Sequence, residues 1–202
     1  MEELIRIPGP ETLEGRYVPG TGGAVIITHP HSLYGGDMDN NVVRIAARAF
    51  QARGWATLRF NFRGVGESTG AYGEGRAEAE DVKAALDYVK TRGPAPYLVA
   101  GYSFGAYAAA QALLAGLAAD GAIFISPPVS FMPMPFLSRV PRVSLIIAGD
   151  QDYICPLAEL QKLLSHGPHQ AEFVVIPGAD HFFGGHEAEL YQVLLKAGGK
   201  KD

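Results

Sequence analysis

The sequence predicts a doubly wound α/β domain, with a mostly parallel central sheet and helices on both of its faces. Short runs rich in Val, Ile and Leu, such as Ala24–Thr28, alternate along the chain with segments of helical periodicity. These runs are apolar at nearly every position, which is typical of strands covered on both faces in parallel sheets. No linker interrupts the alternation, so residues 1–202 are expected to form a single domain.

The elements follow one another in a regular order. The first twenty residues hold two strand candidates that are expected to pair antiparallel, at residues 4–7 and 12–18. Six apolar strand candidates follow, at residues 24–28, 56–60, 97–100, 122–126, 143–148 and 173–176. The first helix candidate begins after Asn40, whose side chain can cap it, and carries apolar residues from Val42 to Phe50. The other helix candidates are residues 76–90, 104–119, 157–164 and 187–196.

Composition and charge exclude several classes of function. Lys and Arg number 17 against 21 Asp and Glu, and the chain has no basic block, so neither nucleic acid nor an anionic membrane is expected as a partner. Residues 93–119 carry no charge, but their Pro and Gly residues indicate a buried strand and helix rather than a membrane span. The start of the chain is acidic where a secretory signal is basic, and the single cysteine cannot form an internal disulfide. A cytoplasmic location is therefore expected.

A candidate nucleophile lies in one of two Gly-x-Ser-x-Gly motifs, which centre on Ser68 and Ser103. Ligands of open α/β sheets bind beyond the carboxyl ends of the strands, so the loops after the strands are the place to look. A nucleophile elbow needs a strand directly before the serine and a helix directly after it. Ser103 meets both conditions, whereas Ser68 lies eight residues beyond the end of its strand and no helix follows. Ser103 is therefore the predicted nucleophile, and Ser68 a loop residue that contacts local backbone.

The base and the acid are chosen by their order along the chain, because after such an elbow the acid comes first and the histidine last. Of six histidines, His181 follows the last strand by one short turn, where the base belongs. The other five lie before the nucleophile, at the wrong end of the sheet or at a helix start: His29, His31, His166, His169 and His186.

Two carboxylates follow the strand at residues 143–148, in the sequence Gly-Asp-Gln-Asp. Asp152 lies farther around the turn and is the favoured acid, with Asp150 as second choice. Asp180 is a poor partner because adjacent side chains diverge. The oxyanion of a tetrahedral intermediate also needs backbone donors. One is expected from the N–H of Phe104 and the other from His31, because Pro30 has no N–H. His29 is then interpreted as a structural hydrogen-bonding residue.

Five motifs in this order resemble the α/β-hydrolase superfamily, and within it the small cytoplasmic bacterial hydrolases related to dienelactone hydrolase. They span about residues 24–187 and read HPHSLYGGDMDN, RFNFRGVGESTG, GYSFG, GDQDYICP and GADHFF. The resemblance implies hydrolysis of carboxylic esters through Ser103, Asp152 and His181, by an acyl-enzyme and without cofactor or metal. Dienelactone hydrolase itself uses a cysteine nucleophile, and Ser103 departs from it. Cys155 lies beyond the acid and is interpreted as a small packing residue.

No cap domain is expected, although larger relatives insert a helical cap between the sixth and seventh strands. The corresponding residues 127–142 number only sixteen and include five prolines. Their apolar side chains either line the acyl side of an open cleft or cover the sheet edge: Phe131, Met132, Met134 and Phe136. The candidate substrate-binding residues are Leu33, Tyr34, Phe131, Met132 and Phe182. A shallow site of this kind favours small soluble esters over long-chain lipid.

Several alternatives stay open from the sequence. A thioesterase or a lactone hydrolase uses the same triad, and a hydrolase-fold protein can also bind a ligand without turning it over. A phosphate-binding loop at residues 64–70 is disfavoured because it lacks the lysine of such loops. A metal site at His29 and His31 with Asp37 and Asp39 lacks the further ligands of a dinuclear hydrolase. The expected partner is a small-molecule ester, and the expected assembly is a monomer or a small homo-oligomer.

Overall fold

A computed structural model describes residues 1–165 and 171–197 of the chain. Within them lie eight strands: β1 Glu3–Ile7, β2 Leu13–Val18, β3 Ala24–Thr28, β4 Ala56–Phe60, β5 Tyr97–Tyr102, β6 Gly121–Ile125, β7 Val143–Gly149 and β8 Glu172–Ile176. The α-helices of the same residues are α1 Asn41–Ala52, α2 Arg76–Lys90, α3 Phe104–Leu114, α4 Leu157–Leu164 and α5 Glu187–Lys196. Short 3₁₀ turns cover Ser32–Tyr34 and Leu137–Arg139. His166 and His169, which the sequence placed before the last strand, lie outside the described residues.

The strands form one sheet in the order β1-β2-β4-β3-β5-β6-β7-β8. β1 pairs antiparallel with β2, and β2 pairs antiparallel with β4, while all the other described pairs are parallel. This arrangement confirms the mostly parallel sheet and its leading antiparallel pair. The carboxyl ends of β5, β7 and β8 consequently meet at one edge of the sheet.

Helices cover the sheet on both faces because the strand residues are apolar on both. In β3, Ile26 belongs to the core on one face, whereas Val25 and Ile27 belong to the core on the other. Alternate residues of a strand point to opposite faces, so a uniformly apolar strand needs a helical layer on each side. Apolar residues of α2, α3 and α4 fill the first core, and those of α1 and α5 fill the second.

Helix α3 ends earlier than the sequence predicted, at Leu114 rather than at residue 119. Gly116 follows with a φ of 93°, and its N–H donates to the carbonyl of Leu113 at 3.1 Å. The N–H of Leu117 donates to the carbonyl of Ala112 at 2.9 Å. This pair of bonds is a Schellman motif, which satisfies the last carbonyls of the helix and turns the chain away.

Residues 127–142 contain a single 3₁₀ turn and no α-helix. The expectation that this segment is too short for a helical cap is therefore confirmed, and within the described residues no such cap lies over the carboxyl edge of the sheet. In the part of the chain that the structure describes, no helix has the length and apolar character needed to cross a membrane.

Candidate active site

Ser103 lies on a sharp turn between β5 and α3. Its φ of 53° and ψ of −121° are strained for a residue with a side chain, as is common at functional turns. A Cβ on Gly105 would lie 2.5 Å from Oγ1 and 2.6 Å from the carbonyl oxygen of Thr28. A Cβ on Gly101 would lie 2.6 Å from Cα of Ala106. Both glycines are therefore required, because the strand and the helix approach too closely there for any side chain.

The structure brings three distant side chains together at this turn. His181 Nε2 lies 2.9 Å from Ser103 Oγ, and His181 Nδ1 lies 2.8 Å from Asp152 Oδ2. Asp152 follows β7 and His181 follows β8, so both reach the elbow from neighbouring strand ends. All three residues are buried, with 3–7% of their surface exposed. This order, hydroxyl to imidazole to carboxylate, is the arrangement that lets a serine lose its proton to a base.

Asp152 is held as a carboxylate by its surroundings. Its Oδ1 accepts hydrogen bonds from the N–H groups of Ile154 at 2.9 Å and Cys155 at 2.8 Å. Burial favours the neutral acid, but the hydrogen bond and charge of His181 and the N–H of Cys155 outweigh it, so the pKa of Asp152 lies below its usual value. An ionised carboxylate at this place orients the imidazole and stabilises its charged form.

Two other carboxylates near His181, those of Asp150 and Asp180, accept hydrogen bonds from the loop that carries it. Asp150 Oδ1 accepts the N–H of Gly178 at 2.7 Å, and Asp180 Oδ1 accepts the N–H of Phe182 at 2.9 Å. Within residues 1–165 and 171–197, Asp152 is the carboxylate that contacts the imidazole of His181. The structure thus brings the favoured acid, Asp152, to the imidazole of His181. Asp150, the second choice, instead accepts a hydrogen bond from the loop that carries His181.

Two further residues tie the histidine loop in place, and sequence reasoning missed both. The hydroxyl of Tyr102 donates to the carbonyl of His181 at 3.0 Å, although 79 residues separate them. Nδ2 of Asn41, at the start of α1, donates to the carbonyl of Phe182 at 3.1 Å. Tyr102 directly precedes Ser103, so its hydroxyl links the elbow itself to the loop that carries His181. No local pattern signals either contact, because each depends on the packing of distant segments.

The predicted oxyanion donors are the N–H groups of Phe104 and His31. Among the described residues, neither group donates to a protein acceptor. Phe104 is the first residue of α3, and the N–H groups of a first helical turn have no partner within the helix. The carbonyl of His31 accepts N–H bonds from Tyr34 and Gly36, both at 3.0 Å, which fixes the start of this loop.

His29 is buried and holds the backbone of two neighbouring loops. Its Nδ1 donates to the carbonyl of Pro30 at 2.7 Å, and its Nε2 accepts the N–H of Phe62 at 3.0 Å. Burial lowers the pKa of His29 to about 4, despite the hydrogen bond to Pro30, so the imidazole is neutral. These contacts agree with its interpretation as a structural residue.

Ser68, from the second Gly-x-Ser-x-Gly motif, joins the loop after β4 to β2. Its Oγ donates to the carbonyl of Asn61 at 2.8 Å and accepts the N–H of Glu14 at 2.9 Å. Both bonds go to backbone groups, as expected of a loop residue that contacts local backbone. Its hydroxyl is thus engaged on both sides, unlike that of Ser103.

A cleft of about 410 Å³ opens above Ser103. Four of the five candidate substrate-binding residues line it, namely Tyr34, Phe131, Met132 and Phe182. Leu33 is not among the residues that line it. It lies in the 3₁₀ turn that carries Tyr34, and adjacent residues of such a turn point about 120° apart. The side chain of Leu33 is 66% exposed to solvent, outside the cleft lining.

The apolar segment after β6 divides its side chains between the cleft and the core. Phe131 and Met132 line the cleft, whereas Met134 is buried in the core and Phe136 packs against the ring of Tyr107 at 5.9 Å. Each of the two interpretations left open by the sequence thus describes part of the segment. Lining residues that the sequence did not indicate include Asn40, Tyr102, Pro128, Tyr153 and Ile154.

The remaining reactive groups lie apart from this arrangement. Within the described ranges, no three His, Cys, Asp or Glu side chains are grouped so that they could hold a metal ion. Cys155 is buried, and burial raises the pKa of its thiol well above the ordinary value. The neutral thiol is a poor nucleophile, and Cys155 packs within the core.

A mostly parallel sheet with a serine on a strand–helix elbow at its carboxyl edge defines the α/β-hydrolase fold. Residues 23–144 match the family model described as Hydrolase_4, serine aminopeptidase S33, and the chain belongs to this family of serine hydrolases. The chain is also 36% identical, over 189 residues, to an uncharacterised protein of Rickettsia prowazekii, covering 87% of this chain and 79% of that one.

Solved structures give the same result. An α/β serine hydrolase homologue from Coxiella burnetii is 36% identical, with a TM-score of 0.89 over 98% of this chain and 97% of that one. A lidless α/β serine hydrolase from Xanthomonas campestris is 32% identical, with a TM-score of 0.86 over 96% and 91%. The predicted superfamily and the cap-free fold are therefore confirmed.

Proposed function

We propose that this hydrolase cleaves carboxylic esters of small soluble substrates through an acyl-enzyme. The observation that carries the proposal is the continuous hydrogen-bonded relay from Ser103 through His181 to Asp152, at 2.9 and 2.8 Å. A serine hydroxyl is a weak nucleophile until a base takes its proton, and the relay supplies that base in an oriented form.

In the first half of the reaction, Ser103 Oγ attacks the ester carbonyl carbon while its proton moves to His181 Nε2. Asp152 stabilises the imidazolium through Nδ1–H. The carbonyl oxygen becomes an oxyanion, for which the N–H groups of Phe104 and His31 are the donors, each worth about 3 kcal/mol in comparable sites. The C–O bond to the alcohol then breaks, and His181 returns its proton to the departing alkoxide.

In the second half, water replaces the alcohol. His181 takes a proton from the water, the resulting hydroxide attacks the acyl carbon, and the proton passes to Ser103 Oγ as the acid leaves. The absence of a helical cap over residues 127–142 supports this step, because water enters an open cleft without a conformational change. An open site of about 410 Å³ also favours compact substrates.

The experiment is a hydrolysis panel with purified protein and the Ser103→Ala variant. The panel contains p-nitrophenyl esters and acyl thioesters of graded chain length, together with simple lactones. The proposal expects the highest kcat/KM with short esters and a kcat lower by several orders of magnitude in Ser103→Ala. A preference for thioesters or lactones would assign one of those activities to the same triad. No turnover of any of these compounds would favour a hydrolase-fold binding protein.

A further inference from the structure

The cleft above Ser103 carries no ionised side chain. None of its lining residues, all within the described part of the chain, is Asp, Glu, Lys or Arg. A substrate charge next to the scissile bond would lose part of its hydration on entry and find no opposite charge in the lining, which is unfavourable. The lining therefore disfavours charged groups near the carbonyl that reacts.

The imidazole of His31 also lines the cleft and is held neutral. Its Nδ1 accepts the N–H of Leu33 at 3.3 Å, so the ring proton is on Nε2, which lies 3.1 Å from the hydroxyl of Tyr72. Burial lowers the pKa of His31, although the charge of Glu78 opposes this. Both ring nitrogens are engaged within the protein, so the side chain of His31 offers only the face of its ring to a ligand.

The lining is also rich in aromatic rings that are exposed to solvent. Of eight large apolar side chains exposed within the described residues, four line this cleft, namely Tyr34, Phe131, Tyr153 and Phe182. They are 50–74% exposed, in contrast to the buried serine below them. Exposed apolar side chains that cluster at one place mark a binding surface.

Several of these rings contact one another or a neighbouring histidine ring. Tyr34 and Phe131 meet edge to face with centroids 5.7 Å apart, and the His31 ring lies 6.0 Å from Phe131. Phe182 stands perpendicular to the ring of the base, His181, at 5.6 Å. Aromatic pairs in such geometries contribute binding energy beyond the area that they bury. A flat ring in the substrate gains these contacts, and a saturated ring of the same size does not.

From this charge-free aromatic lining we propose that the cleft selects neutral esters with an aromatic ring close to the scissile bond, on its acyl or its alcohol side, and rejects substrates with an α-ammonium group. This inference rests on the proposed ester hydrolysis and adds its substrate class. The inference also argues against aminopeptidase activity, which the family's description names, because an aminopeptidase must bind the free amino terminus of a peptide.

The test compares matched esters that differ in one feature. Methyl 3-phenylpropionate is paired with methyl 3-cyclohexylpropionate, and 2-phenylethyl acetate with 2-cyclohexylethyl acetate, so that the ring is tested on either side of the bond. Methyl phenylalaninate adds only an amino group to the first ester, and all the esters are compared at about pH 6, where that group is an ammonium. Each kcat/KM, measured by pH-stat, is divided by the rate constant of alkaline hydrolysis.

We expect the phenyl ester to exceed its cyclohexyl partner by about two- to tenfold in at least one pair. Methyl phenylalaninate is expected to fall at least roughly tenfold below methyl 3-phenylpropionate. Phe131→Leu is expected to remove most of the phenyl preference, whereas Leu114→Ala, which changes an exposed side chain of α3 outside the cleft lining, retains it.

The outcomes separate this inference from the proposed function. Turnover of the esters without phenyl preference in either pair would overturn the inference and leave the ester hydrolase intact. Efficient turnover of methyl phenylalaninate would overturn it as well. No turnover of any ester, together with no turnover in the panel of simple esters, would overturn both.

Discussion

The bond between the Tyr102 hydroxyl and the carbonyl of His181 predicts a measurable role for Tyr102 in positioning the base. Tyr102 is 1% exposed, and its hydroxyl donates to this carbonyl at 3.0 Å. Tyr102→Phe removes the donor and leaves a buried carbonyl unpaired, which costs about 1–3 kcal/mol of the free energy of unfolding. It also releases the hydrogen bond that, among the described residues, joins the residue before Ser103 to the backbone of His181.

The catalytic loss is expected to exceed what the loss of stability explains. A displacement of about 1 Å between reacting groups can lower a rate about 100-fold, so we expect kcat to fall by about 10- to 100-fold in Tyr102→Phe. Tyr17→Phe is the matched control. Tyr17 is also 1% exposed, and its hydroxyl donates to the carbonyl of Arg92 at 2.9 Å, away from the cleft lining.

The assay combines urea unfolding with steady-state ester hydrolysis for both variants. The two substitutions should lower the free energy of unfolding by similar amounts, and only Tyr102→Phe should lower kcat. Equal kcat values in the two variants, at matched stability loss, would refute the positioning role and leave Tyr102 as a packing residue.

Three further predictions concern the triad and its neighbours. Ser103→Ala is expected to lower kcat by several orders of magnitude, whereas Ser68→Ala should leave kcat nearly unchanged and lower the free energy of unfolding by about 1–2 kcal/mol. Equal kcat losses would contradict the elbow assignment. Asp152→Asn is expected to lower kcat by about 10⁴-fold and Asp150→Asn far less, and the reverse result would exchange their roles. Burial lowers the pKa of His29 to about 4, against about 6.5 for an unfolded chain. Between these values the unfolded chain binds more protons, so the free energy of unfolding should fall by about 3 kcal/mol from pH 6.5 to 4. His29→Gln should remove this component in urea titrations across that range, and an unchanged pH dependence would contradict the neutral buried imidazole.

Much of the fold could be predicted because its signals are local. β3 and β4 begin and end where their apolar runs do, since residues on both faces of these strands must be buried. Gly116 also signalled the end of α3, because glycine is typical of the position just after a helix. The apolar residues that continue after Gly116 concealed this signal. The proximity of Ser103, Asp152 and His181 followed from topology, because loops after parallel strands share one edge of the sheet.

The rest depends on contacts that have no sequence pattern. The bonds of Tyr102 and Asn41 to the histidine loop join segments 79 and 141 residues apart, and only the packed fold brings them together. The exclusion of Leu33 from the cleft depends on which side of one short turn faces inward. The aromatic lining without charged residues likewise comes from separate loops, and no single loop has a sequence pattern that predicts it.

The central claim is that the hydroxyl of Ser103 is activated by His181, and covalent labelling tests it most directly. A small fluorophosphonate reacts with an activated serine and releases fluoride, leaving a phosphonylated protein whose mass and peptide map identify the site. The account predicts one adduct per chain, on Ser103, with none in Ser103→Ala and a rate lower by orders of magnitude in His181→Gln. Folded wild-type protein that forms no adduct, or that is labelled at Ser68, would contradict it.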